Sequence, residues 1–113
     1  MPNQSAAQLN RVFHGLADPT RRAVIERLTS GPAPVSELKR PFKMALPSFM
    51  QHLEVLEECG LVKSRKSGRV RTYQLAPRPL LAAESWLEKQ RAYWDRRLDQ
   101  LDAYLLKMKE QKE

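Results

Sequence analysis

The stretch SELKRPFKMALPSFMQHLEVLEECGLVKSRKSGRVRTYQL, residues 36–75, decides how the chain is read. Its spacing predicts a short helix, a turn, a second helix and then a two-stranded ribbon with a basic, glycine-bearing tip. Residues 38–52 carry Lys39, Arg40 and Lys43 and no acid; residues 59–83 carry Lys63, Arg65, Lys66, Arg69, Arg71 and Arg78, again with no acid. The whole chain has a net charge of +7, so the residues outside these two segments sum to −2. Positive charge gathered in one part of a chain marks a surface for a polyanion.

Within the stretch, Pro47 fits the first turn of a helix, and Phe49, Leu53 and Leu56, with Val55 beside them, fall on an inward face. Gly60 is the left-handed residue expected just past that helix. Ser48, Gln51 and His52 are left on the outward face near the helix start. Leu61-Val62 opens a strand, Ser67-Gly68 makes the turn, and Val70, Thr72 and Tyr73 favour the returning strand.

Upstream, Leu9, Val12, Phe13 and Leu16 form a helical stripe, after a polar start (residues 1–7) read as frayed. Asp18 can cap a second helix, about residues 20–29, with Pro19 in its first turn. That helix buries Ala23, Val24, Ile25 and Leu28 and ends at Gly31-Pro32 and Pro34. Ser36 and Glu37 start the short helix of Leu38, which stops before Pro41. Downstream, Pro77 and Pro79 are read as breaks, followed by a long helix over residues 80–109. In it Leu87, Trp94, Leu98, Leu101, Leu105 and Met108 make a heptad-like apolar seam.

One hundred and thirteen residues, 42% hydrophobic and 29% charged, are ordinary for a single folded domain. The core is expected over residues 8–76 with the ribbon at 61–75. No apolar run is long enough to span a bilayer, and the start lacks the cationic-then-apolar pattern of an export signal, so a cytoplasmic, membrane-free protein is expected. A single cysteine, Cys59, cannot form an internal disulfide or a thiolate zinc site.

Pro47-Ser48-Phe49-Met50-Gln51-His52-Leu53-Glu54-Val55-Leu56-Glu57-Glu58-Cys59-Gly60-Leu61-Val62, then Gly68-Arg69 and Tyr73-Gln74-Leu75, resembles the ArsR/SmtB family of bacterial regulators. Ala17-Asp18-Pro19-Thr20-Arg21-Arg22 is similar to that family's opening motif. The resemblance, over about residues 8–76, implies a mainly α winged helix-turn-helix fold with a small β-hairpin wing. It implies a homodimeric repressor on an inverted-repeat operator in double-stranded DNA, paired through its first and last helices. It leaves room for a small-molecule inducer, which the sequence does not identify. On this reading Pro47, Ser48, Phe49, Gln51 and His52 of the recognition helix and Lys63, Arg65, Lys66, Arg69, Arg71 and Tyr73 of the wing meet DNA. Leu9, Val12, Phe13, Leu87, Trp94, Leu98, Leu101 and Leu105 form the dimer surface.

The chain departs from the family pattern where metal sensors bind their ion. Val35-Ser36-Glu37-Leu38-Lys39 replaces a Cys-x-Cys pair, and Asp95, Asp99 and Asp102 on the last helix have no histidine among them. Carboxylates alone are poor transition-metal ligands, so no metal and no cofactor is expected. The longer Arg40–Met44 turn and Trp86…Tyr93-Trp94 look like a subgroup without metal ligands, whose genes often neighbour those of START-like hydrophobe-binding proteins. Met50 and Ala45 stand where the family has serines. Cys59 could act as a redox sensor, but a helix C-terminus disfavours its thiolate. His14, beside Phe13, reads as a packing residue. No phosphate loop, apolar carboxylate pair or Cys–His nucleophile spacing is present, so catalysis is not expected. The alternatives are a non-specific architectural DNA protein and a redox-responsive repressor using Cys59.

Overall fold

The computed structural model describes residues 3–111; within the polar start, residues 1 and 2 lie outside the described residues. The elements are α1 (Asn3–Leu16), α2 (Pro19–Leu28), β1 (Ala33–Pro34), α3 (Val35–Lys39), α4 (Leu46–Glu58), β2 (Val62–Ser67), β3 (Val70–Leu75) and α5 (Pro77–Gln111). They divide into two compact units between Ala82 and Ala83, with α5 running from the first into the second.

The first unit is a small helical fold closed by a three-stranded antiparallel sheet of order β1-β3-β2. Its core holds Val24 and Leu28 of α2, Leu38 of α3, Phe49, Leu53 and Leu56 of α4, and Leu61, Val62 and Tyr73 at the sheet. The inward spacing read for α4 is therefore the observed one. Gly60, at φ 78°, turns the chain out of α4, and the Leu61 amide bonds the Leu56 carbonyl at 3.0 Å.

Three local readings change. α1 begins at Asn3 rather than after a frayed start. A two-residue strand, Ala33–Pro34, joins the ribbon through Ala33↔Tyr73 and Pro34↔Thr72, so the wing belongs to a larger sheet. Pro77 and Pro79 do not break the chain: they open α5, because a first-turn proline gives up only an amide that has no partner in the helix.

Gly15 is required by close approach. A Cβ there would stand 2.6 Å from Leu61 Cδ1 and 3.4 Å from Cys59 Cβ, and Leu61 is fully buried. Gly15→Ala is therefore expected to lower stability by ~1–2 kcal/mol, the overpacking strain outweighing the gain in helix propensity. Urea unfolding would measure it; an unchanged or raised midpoint would show that α1 can move aside.

No helix among the described residues is long and apolar enough to cross a membrane.

Candidate nucleic-acid interface

α4 presents Ser48 and Gln51 to solvent at its start, with Pro47 beside them. Its first turn has no acid, and its N-cap, Ala45, makes no side-chain cap bond. The amides of the first turn therefore lack a side-chain acceptor, which favours an anion there. Phe49 does not share this surface. It is fully buried, since the residue after Ser48 points into the core on a helix with this register.

The wing is a two-residue hairpin, Gly68-Arg69, with Ser67 opposite Val70. Gly68 takes φ 62°, the left-handed geometry such a loop requires. Lys63, Arg65, Lys66, Arg69 and Arg71 are all exposed. The pleat divides them: Lys63 and Arg65 alternate onto one face, Lys66 and Arg71 onto the other. Lys66 and Arg71 are direct cross-strand partners, a like-charge pairing that weakens the isolated hairpin. Tyr73 lies on the face shared by Lys66 and Arg71 but is only 2% exposed; it is a core residue and has no surface to offer DNA. Burial, aided by the nearby Glu57 charge, pushes its hydroxyl above the ordinary value and keeps it neutral.

Arg71 is held rather than free. Its NH1 donates to Ser64 Oγ at 2.8 Å, and Ser64 Oγ donates to Glu57 Oε1 at 2.7 Å. This chain of bonds ties the wing to the C-terminal half of α4.

A second network holds α4. Arg21 Nε donates to the Gly15 carbonyl at 2.8 Å and NH2 to the His14 carbonyl at 2.9 Å; NH1 lies 3.3 Å from His52 Nδ1. Arg22 NH1 bonds the Leu16 carbonyl at 2.7 Å. Two arginines at the start of α2 thus satisfy the last carbonyls of α1. A guanidinium only donates, so this contact is a hydrogen bond when Nδ1 is unprotonated and the ring proton sits on Nε2. His52, read from the sequence as an outward contact, is half-buried and fastened to α2, leaving that Nε2–H as its donor. The only sequence signal for Arg21 is its place in Ala17–Arg22.

Asp18 caps α2, accepting from the Arg21 amide at 3.1 Å, and its Oδ2 lies 3.7 Å from His52 Nδ1. Partial burial opposes its ionisation, but the Arg21 amide and the His52 and Arg21 charges outweigh that and hold its carboxyl below the ordinary 3.8. The stabilisation from this ion is complete above the ordinary value and is lost as pH falls through the lower folded one. Asp18→Asn, which keeps a capping side chain, is expected to flatten the acid limb of stability against pH; thermal unfolding across roughly pH 2–6 would check it. Parallel limbs for the two proteins would refute the assignment.

Cys59 is 7% exposed, and burial pushes its thiol above the ordinary value, with Arg21 acting in the opposite direction. Among the described residues no three His, Cys, Asp or Glu side chains gather as a metal site. Of the dimer candidates, Val12 is fully buried within its own chain and has no surface left to offer a partner, so it is a core residue; Leu9 is half-buried and Phe13 is 40% exposed. In the second unit Leu87, Trp94, Leu98, Leu101 and Leu105 are each half or more exposed.

A helix-turn-helix domain family matches residues 16–65. The HTH-type transcriptional regulator Rv2034 of Mycobacterium tuberculosis is 43% identical over 89 residues, 79% of this chain and 80% of that protein. The crystal structure of an ArsR family transcriptional regulator is 55% identical, with a TM-score of 0.74 over 78% of this chain and 91% of that one. This chain belongs to the ArsR/SmtB family of transcriptional regulators. The transcriptional repressor SdpR of Bacillus subtilis is 27% identical over 70% of this chain and 88% of its own length. An ArsR-like transcriptional regulator from Rhodococcus sp. RHA1 is 33% identical, with a TM-score of 0.70 over 87% of this chain and 92% of that one. The winged helix-turn-helix expected from residues 36–75 is the fold these ArsR regulators share with it.

Proposed function

We propose that the chain is a homodimeric repressor that binds an inverted-repeat operator in duplex DNA. The carrying observation is that an uncapped, acid-free helix start bearing Ser48 and Gln51 is braced, through Glu57, Ser64 and Arg71, to a wing tip bearing Lys66 and Arg69. Ser48 and Gln51 reach base edges in the major groove, while Lys63, Arg65, Lys66 and Arg69 hold phosphates or enter the minor groove. Two copies joined through the exposed apolar stripe of α5 and through Leu9 and Phe13 of α1 present two recognition helices about one helical turn, ~34 Å, apart. Signalling does not rest on a metal: among the described residues no three His, Cys, Asp or Glu side chains gather to hold an ion. Nor does it rest on Cys59, whose buried thiol stays protonated near neutral pH.

Selection of bound duplexes from random DNA tests the reading. An enriched two-fold motif is expected, and Gln51→Ala is expected to relax preference at one position per half-site by about 1–3 kcal/mol while leaving random-sequence affinity nearly unchanged. Selection that enriches no motif would instead assign the protein a sequence-independent, architectural role.

A further inference from the structure

Between α2 and α3 lies a cavity that DNA recognition does not use. Ala23 and Val24 of α2, Leu38 of α3, and Pro41 and Phe42 of the following turn give it an apolar lining. Its volume of about 500 Å³ is within the range of small-ligand pockets, about 300–1,000 Å³. Two of the charges on its wall are already engaged: Arg27 NH2 donates to Glu37 Oε1 at 2.9 Å, and Arg27 NH1 donates to the Gly31 carbonyl at 3.3 Å. Arg40, also on the wall, is exposed and makes no hydrogen bond or ion pair with the described residues.

An apolar cavity with one unengaged guanidinium at its mouth is complementary to a molecule with an aliphatic body and a single carboxylate. A cationic head group would meet Arg40 unfavourably, and a neutral one would leave it unused. Phe42 connects the cavity to the recognition helix. Its ring centroid is 5.6 Å from that of Phe49, tilted by 31°, and Phe49 is the fully buried anchor of the first turn of α4. A ligand that displaces Phe42 therefore acts on the start of α4, where Ser48 and Gln51 stand.

We propose that this cavity is an effector site for a medium-chain carboxylic acid, and that filling it weakens the DNA-binding arrangement of α4. The second half rests on the repressor reading above; the first half does not, and is measured without DNA. Titration calorimetry of the full chain with decanoate is expected to give one saturable site per chain, with decan-1-ol at least about tenfold weaker. Ala23→Trp, which projects an indole into the cavity, is expected to abolish decanoate binding while unfolding at the wild-type temperature. Arg40→Gln, at an exposed position, is expected to erase the preference for decanoate over decan-1-ol; it keeps the test decisive if Ala23→Trp does not fold. Undiminished decanoate binding by Ala23→Trp, an undiminished preference in Arg40→Gln, or no saturable site at all would overturn the assignment. With DNA present, saturating decanoate is expected to weaken operator binding by the wild type, and operator DNA to weaken decanoate binding by the same factor. Saturation that leaves DNA affinity unchanged would overturn the relay through Phe42, and absence of DNA binding in every sample would count against the repressor reading alone.

Discussion

Replacing Arg65, Lys66 and Arg69 together with alanine is expected to reduce affinity for duplex DNA by about two orders of magnitude, at roughly 1 kcal/mol for each phosphate contact. The loss should be nearly equal on operator and random sequence, because phosphate contacts carry no base identity. The slope of log affinity against log salt should flatten by about 0.9 for each contact removed. Folding should be unharmed: all three side chains are exposed, and removing Lys66 relieves its like-charge opposition to Arg71. Arg71→Ala supplies an internal contrast. Its guanidinium is already bonded to Ser64, which is bonded to Glu57, so its loss should loosen the brace between wing and α4 more than it changes the salt slope. Fluorescence anisotropy at several salt concentrations separates the two. A triple variant with an unchanged salt slope would remove the wing from the DNA surface.

The second large effect is expected at α5. Leu98 and Leu101 lie in the exposed apolar stripe, which a partner helix would cover. Leu98→Glu with Leu101→Glu would bury two unpaired carboxylates at each copy's seam, a penalty of several kcal/mol per ion. The variant should sediment as a monomer. Its operator affinity should fall by about 10²–10⁴, the advantage that linking two half-site contacts confers. Unfolding of a monomer should hardly change, because neither leucine belongs to the buried core. Sedimentation velocity with operator titration would check both, and a wild type that is already monomeric at micromolar concentration would refute the pairing.

The sequence was most legible where one residue type answers one backbone demand. Gly60 and Gly68 both take left-handed φ where a helix end and a hairpin loop were expected, and Pro47 sits in the first turn of α4. The apolar spacing of Phe49, Leu53 and Leu56 likewise fixed which side of α4 is inward. The same spacing turns Phe49 inward, away from the proposed DNA surface, although its place in the motif reads as a contact. Tyr73 is a similar case, since a tyrosine on a basic ribbon reads equally well as surface or core until its cross-strand partners and β1 are in place. The strand Ala33–Pro34 is too short to leave a periodic signal. The Arg21–His52 contact joins residues far apart in the chain, a link that local patterning does not contain. Pro77 and Pro79 were ambiguous by nature, because proline both ends one element and opens the next.

The guanidinium of Arg21 spans the last turn of α1 and the outer side of α4 using three separate nitrogens in a flat, fixed fork. A lysine has one nitrogen at the end of a flexible stem and cannot bridge those points at once. An apparently mild arginine-to-lysine change at this joint would therefore leave the positive charge in place yet let α4 shift against its neighbours.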